Sequence, residues 1–286
     1  MFERIDGLAA IADRYDGFVF DVWGTLYDGG AAYPQAVAVL QRLAAAGKAV
    51  VVLSNSPRPA AVVAGRLDGI GIPAALYREV ITSGGECHRY LRDRPDAFHA
   101  GLGPLAFGFD PGRFAHILPG TGFEPTPALE AADWILNAGP RSGLDTVADY
   151  EEPLARGAER GLAMICANPD KVVYEQGVKM IHAGALAQRY EELGGRVHYH
   201  GKPHAPVFAR SIEVLGARPD RVLVVGDNRA TDVAGAAAAG LDSLMLADGV
   251  HCDDLLVDGG LVDERLRAFL AVPGPQPRWV ADRLGW

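Results

Sequence analysis

Gly17-Phe18-Val19-Phe20-Asp21-Val22-Trp23-Gly24-Thr25-Leu26 is the stretch that decides the architecture of this chain. A short continuous apolar run stops at a carboxylate and a glycine follows, which is how a buried parallel strand hands a reactive group to a turn. Two further runs, Ala49 to Ser54 and Val222 to Asp227, also end in polar residues. Helical patterns at Pro34 to Ala46, Arg58 to Asp68, Pro206 to Leu215 and Thr231 to Ala239 alternate with the strands. This is the rhythm of an α/β doubly wound parallel sheet. Such a sheet places ligands beyond the carboxyl ends of its strands, so Asp21, Ser54 and Asp227 are expected to converge on one crevice.

Between the second and third of these strands lies an insertion over residues 83–199, too long for a loop. Its runs Trp134 to Leu136 and Ala163 to Ala167 read as strands, and Thr146 to Arg160 and Ala183 to Leu193 as helices. The expected organisation is a discontinuous core, residues 1–82 and 200–286, carrying an inserted α/β domain over its crevice. There is no internal repeat or low-complexity tract.

Composition narrows the partners. The 286 residues carry a formal net charge of −9 without a cluster of Lys and Arg, which disfavours nucleic acid and anionic membranes. No apolar run approaches the roughly 20 residues of a membrane span, and no leader pattern opens the chain, so a cytoplasmic location is expected. Cys87, Cys166 and Cys252 are odd in number, widely spaced and outside any C-x-x-C pair. They are expected to be reduced thiols rather than a disulfide framework or a zinc knuckle. An acidic protein that binds an anion needs a metal and local donors to overcome its own field.

Four segments can supply that chemistry. Asp21 offers a carboxylate nucleophile, and Gly24 lets backbone amides approach an anion. Leu53-Ser54-Asn55-Ser56 offers a hydroxyl and amides suited to phosphoryl oxygens. Gly201-Lys202-Pro203 offers an ammonium that can neutralise developing charge. Gly226-Asp227-Asn228-Arg229-Ala230-Thr231-Asp232 puts two carboxylates at the end of an apolar strand, an oxygen-rich set that suits Mg2+. Taken singly, each has an ordinary explanation as a turn, a helix cap or a surface lysine. Together and in this order they are specific.

In that order the segments resemble the four motifs of the haloacid-dehalogenase-like hydrolases: Asp-x-x-Gly-Thr, a Ser or Thr after a strand, a Lys, and Gly-Asp with a further Asp. The insertion resembles the C2-type cap of the class IIA sugar-phosphate and nucleotide phosphatases. Ile81-Thr82-Ser83-Gly84, Ala167-Asn168-Pro169-Asp170 and Ala183-Gly184-Ala185 carry that likeness. The resemblance implies a Rossmann-like core and a Mg2+-dependent phosphatase of small phosphorylated metabolites, with Asp21 as nucleophile and metal ligand. It implies Ser54 and Lys202 as phosphate and charge stabilisers, Asp227 and Asp232 around the metal, and the Trp23 backbone carbonyl as a further ligand. Gly24, Asn55, Asn168 and Asp170 are the expected substrate contacts.

One position departs from the family pattern. Its phosphatases usually carry a second Asp two residues after the nucleophile as general acid and base, and this chain has Trp23. The same superfamily contains metal-free dehalogenases without that Asp, so a carbon-centred hydrolase is one alternative. A metabolite-binding protein with weak turnover is another.

Other features have plainer readings. His198, His200 and His204 invite a zinc site, yet no Cys or carboxylate in their segment completes a four-ligand set. His204 is expected at the surface or in a cap. Arg141 and His182 are open candidates for recognising a polar substrate group, but no spacing selects either. The stretch Pro273 to Pro277, with Trp279 and Trp286 beyond it, is expected to dock on the core, a homodimer contact being the alternative.

Overall fold

The computed structural model describes residues 2–175 and 178–286. By packing, the chain divides into two units. The first comprises residues 1–54, 64–81 and 202–286, and the second residues 55–63 and 82–201.

The first unit is built on a seven-stranded parallel sheet. Its order is Glu3–Arg4, Trp279–Ala281, Asp242–Leu246, Val222–Gly226, Gly17–Phe20, Ala49–Ser54 and Glu79–Thr82. The central strands are apolar throughout because both faces are covered, and Phe18, Phe20, Val51, Val52, Leu223 and Val225 are fully or almost fully buried. Register then aligns the ends: Phe20 pairs with Val225 on one side and with Val52 on the other. Asp21, Leu53 and Gly226 are the residues that follow, so the three strands release their polar groups at one edge.

The helix Pro34–Ala45 opens with Pro at its first turn and buries Ala36, Val39, Leu40 and Leu43, spaced to form one stripe. The helix expected from Arg58 begins instead at Ala60, because Pro59 supplies the carbonyl that accepts from Val62 and Val63 but has no amide to continue backwards. The expected helix from Thr231 is a π-helical turn over Arg229–Val233 that runs into a short α-helix, Ala234–Ala238. There the amides of Asp232 and Val233 both reach the carbonyl of Asn228.

The Pro-rich stretch docks. The buried Arg229 guanidinium donates to the carbonyls of Phe269, Val272 and Pro275 at 2.7–2.9 Å. Trp279 then enters the sheet and donates its indole N–H to Tyr15.

The second unit has its own five-stranded parallel sheet, ordered Arg196–Tyr199, Ala163–Cys166, Trp134–Asn137, Leu105–Phe107 and Glu124–Thr126. Two apolar clusters, one containing Ile135, Tyr150, Met164 and Tyr190 and the other Phe114, Trp134, Leu136 and Ile165, give it a core of its own. An antiparallel ribbon, Val172–Glu175 with Val178–Ile181, is added to it. Cys87, Cys166 and Cys252 are free thiols. Among the described residues no helix is long and apolar enough to cross a membrane.

Candidate active site

The carboxyl edge of the first sheet gathers three acids. Asp21, Asp227 and Asp232 are all buried, and one oxygen of each lies within 4.8 Å of the others. Two come from strand ends, whereas Asp232 is turned inward by the π-helical turn, which rotates its side chain under Gly226 and lets it accept from the amide of Asn228 at 3.2 Å. Lys202 completes the cluster. Its Nζ donates to Asp21 Oδ1 at 2.5 Å and to Asp232 Oδ1 at 2.6 Å, with the ammonium almost wholly buried.

Charge dictates what this arrangement needs. Three buried carboxylates face one ammonium, so the fully ionised cluster carries two uncompensated negative charges. Burial first, then the charges of Asp21 and Asp232, push the Asp227 carboxyl well above its ordinary value. A divalent cation would restore balance, and carboxylate oxygens at this spacing are the hard ligands that Mg2+ accepts.

Two glycines let the backbone close around Asp227. A Cβ on Gly24, whose φ of +74° favours glycine, would stand 2.2 Å from Asp227 Oδ2, and one on Gly249 would stand 2.1 Å from the same atom. The approach leaves the Trp23–Gly24 backbone directly against the acid cluster. Val250 donates its amide to Asp227 Oδ2 at 2.7 Å, which fixes that carboxylate from the far side. Gly249 and Val250 were missed by the sequence reading, although they follow the Asp242–Leu246 strand and the strand-end rule applied there would have found them.

Ser54 is buried at the end of its strand in the first unit. Asn55, the next residue, packs with the second unit, where its Nδ2 donates to Asp170 Oδ1 at 2.8 Å. Asn168 lies in the same unit, nearly inaccessible, with both ends of its amide engaged. Its Oδ1 accepts from the Asp170 amide at 3.0 Å and its Nδ2 faces His182 Nδ1 at 2.6 Å. Its bonds are therefore those of an organiser of the Asn-Pro-Asp turn, and Asp170 is the member of the turn with a carboxylate to present. His204 precedes the helix Ala205–Leu215 at its N-terminal boundary.

Comparison with known proteins fits this geometry. The glycerol-3-phosphate phosphatase of Gallus gallus is 31% identical over 268 residues, covering 86% of this chain and 85% of that one. The chain belongs to the haloacid dehalogenase-like hydrolases. Two family models of that description match residues 18–123 and 145–240 of the hydrolase, and a related one matches residues 199–285. The 5'-nucleotidase YutF of Bacillus subtilis is 27% identical to it, covering 85% of this chain and 91% of the relative. A solved haloacid dehalogenase-like hydrolase from Brucella suis superposes with a TM-score of 0.83 at 32% identity, over 98% of this chain and 99% of its own. The hydrolase therefore has the α/β core and inserted C2-type cap of its family.

His182 gives the cap a pH signature. Burial, helped by the charge of Arg113, lowers its pKa to about 4, and the contact with Asn168 suits a neutral ring that accepts. A histidine held neutral contributes stability above its unfolded pKa, and that stability is lost as pH falls from about 6.5 towards 4. The loss should reach about 2 kcal/mol by pH 5. Urea midpoints at pH 7 and pH 5 test it: His182→Gln should show a smaller drop than the parent, and an identical drop would refute the assignment.

Proposed function

We propose that this hydrolase is a Mg2+-dependent phosphomonoesterase that acts on a small phosphorylated metabolite, a sugar, polyol or nucleotide phosphate, through a phospho-aspartate at Asp21. The observation that carries the reading is the Lys202 ammonium held between Asp21 and Asp232 beside a third buried acid, Asp227. The names of the two curated relatives, a glycerol-3-phosphate phosphatase and a 5'-nucleotidase, support a phosphate monoester as substrate.

Asp21 is the nucleophile, and its carboxylate attacks phosphorus as the ester oxygen departs. Lys202 holds that carboxylate in one rotamer and offsets charge gathering between it and the phosphoryl oxygens. Ser54 donates to those oxygens, and Gly24, whose own amide donates to the Tyr27 carbonyl at 2.9 Å, lets the backbone come close to them. Asp21, the Trp23 carbonyl, Asp227 and Asp232 would hold the cation, which when bound supplies Lewis-acid stabilisation of phosphoryl charge. Residues 1–82 and 200–286 act as the catalytic core, and residues 83–199 act as the cap that selects substrate and excludes water, with Asp170 and the neighbouring Asn55 as the recognition pair and the buried Asn168 holding their turn in place rather than meeting substrate.

Purified enzyme screened against sugar, polyol and nucleotide phosphates, with and without Mg2+, should release phosphate from at least one class only when Mg2+ is present. Halide release from haloacids without metal would favour the carbon-centred reading instead. Asp227→Ala, or thorough chelation, should lower turnover at least about 10²-fold, since metal stabilisation of the transferring group is worth several kcal/mol. Undiminished phosphate release after chelation would overturn the metal assignment.

A further inference from the structure

The second unit holds another cluster of ligating side chains, built from residues that the proposed reaction does not use. His198 and His200 lie two apart at the end of the Arg196–Tyr199 strand, and His99 reaches them from the short helix Ala97–Ala100. One ring nitrogen of each lies within 4.8 Å of the others. The ring centroids form a triangle with sides of 4.6, 5.0 and 5.2 Å. Phe98 stacks on His198, and Tyr90 packs 5.1 Å from the rings of both His99 and His200.

The protons decide what this triangle is for. Asp96 accepts from His99 Nδ1 at 2.8 Å, which directs the lone pair of His99 Nε2 towards His200 Nε2, 3.1 Å away. Without a cation, that contact requires a proton on His200 Nε2. A neutral His200 would then aim a bare Nδ1 at Glu86 Oε2, 3.6 Å away. Glu86 is itself buried; its Oε2 accepts from the amide of Gly201, and its Oε1 has no hydrogen-bond partner among the described residues. A shared cation removes the conflict. Both Nε2 lone pairs then point at the metal, both Nδ1–H groups point at carboxylates, and two acidic charges offset the dication. This is the carboxylate–histidine–metal arrangement. Two imidazoles on a tetrahedral Zn2+ bring their nitrogens about 3.4 Å apart, close to the separation found here.

We propose that His99, His198 and His200 bind a borderline transition-metal dication, Zn2+ foremost, at a site in the cap that is chemically distinct from the acidic cluster. Imidazole donors without a carboxylate ligand disfavour Mg2+ and Ca2+ and suit Zn2+, Co2+ and Ni2+. Asp96 and Glu86 are its positioning residues. The site also stands two residues ahead of Lys202 in the chain, so the metal would fix the end of the strand from which the catalytic lysine departs.

Co2+ tests the proposal without reference to activity. The full-length protein carrying Asp227→Ala, which impairs the acidic site, should bind one Co2+ with the intense visible absorption of a tetrahedral nitrogen site, and Zn2+ should displace it. His99→Gln and His200→Gln should lower Zn2+ affinity by at least tenfold. Asp96→Asn keeps the helix cap and every ligand but removes the charge behind His99, and should lower affinity about 10–100-fold. Only weak octahedral bands from the parent, or equal Zn2+ affinity in the parent and folded Asp96→Asn and His198→Gln, would overturn the proposal. If His99→Gln does not fold by circular dichroism, the parent spectrum together with these last two variants decides.

Discussion

The Asp21→Asn protein should fold and lose steady turnover by on the order of 10⁴-fold or more, the scale seen when a covalent nucleophile is removed from a group that acts as a unit. The amide keeps the volume of the carboxylate but is a poor nucleophile and a poor metal ligand. Stability should move the other way in the absence of metal. Asp21 is one of the two charges that raise the Asp227 carboxyl, so its neutralisation relieves repulsion inside a buried cluster. Lys202 keeps Asp232 as a partner at 2.6 Å and is not left buried alone. The melting temperature of metal-free Asp21→Asn should therefore equal or exceed that of the metal-free parent, while its gain on adding Mg2+ should shrink. Parental phosphate release from the variant would remove Asp21 from its role. A fall in metal-free stability would show that the charge argument has the wrong sign.

How far this could be read from sequence follows from what each element is made of. Gly17–Phe20, Ala49–Ser54 and Val222–Gly226 are buried on both faces, so they are written as unbroken apolar runs and their polar ends stand out. Asp242–Leu246 begins with an acid and a serine, Trp279–Ala281 is short and follows prolines, and Glu3–Arg4 is two charged residues at an edge. None of these carries a periodic signal, yet with Glu79–Thr82 they complete the sheet. The acids of the site were legible because strand ends are a local feature. The inward turn of Asp232 was not, because a π-helical turn has no side-chain period of its own. His99 stands about a hundred positions from His198 and His200. Only the fold of the second unit brings them together, and no spacing along the chain announces it; His204, the third histidine of the segment, packs with the first unit instead.

Trp23 is where chemistry and sequence pattern pull apart. The indole is half-buried, packed edge-on against Tyr27 with ring centroids 4.9 Å apart, and it has no group that can protonate a departing alkoxide or deprotonate water. General acid and base assistance is typically worth about 10²–10⁴ in rate, so its absence at this position should be visible. On the proposed mechanism, Lys202 and Ser54 should still favour transfer to Asp21 when the leaving group is good, since an aryloxide departs without a proton. The water that must then attack the phospho-aspartate has no base at position 23. An aryl phosphate should therefore give a burst of phenol close to one per active site, followed by slow turnover, and alkyl phosphates should react far more slowly. Trp23→Asp should raise the steady rate more than the burst. Because the indole is only half-buried, the packing cost of that change should fall below the about 3–5 kcal/mol of a fully buried tryptophan, and circular dichroism checks that the variant folds. If the parent shows no burst and hydrolyses alkyl and aryl phosphates alike, a proton donor elsewhere is at work. Asp170, the carboxylate of the Asn-Pro-Asp turn, and His204 are then the first residues to replace, and a pH–rate profile that loses one limb in either variant identifies the donor.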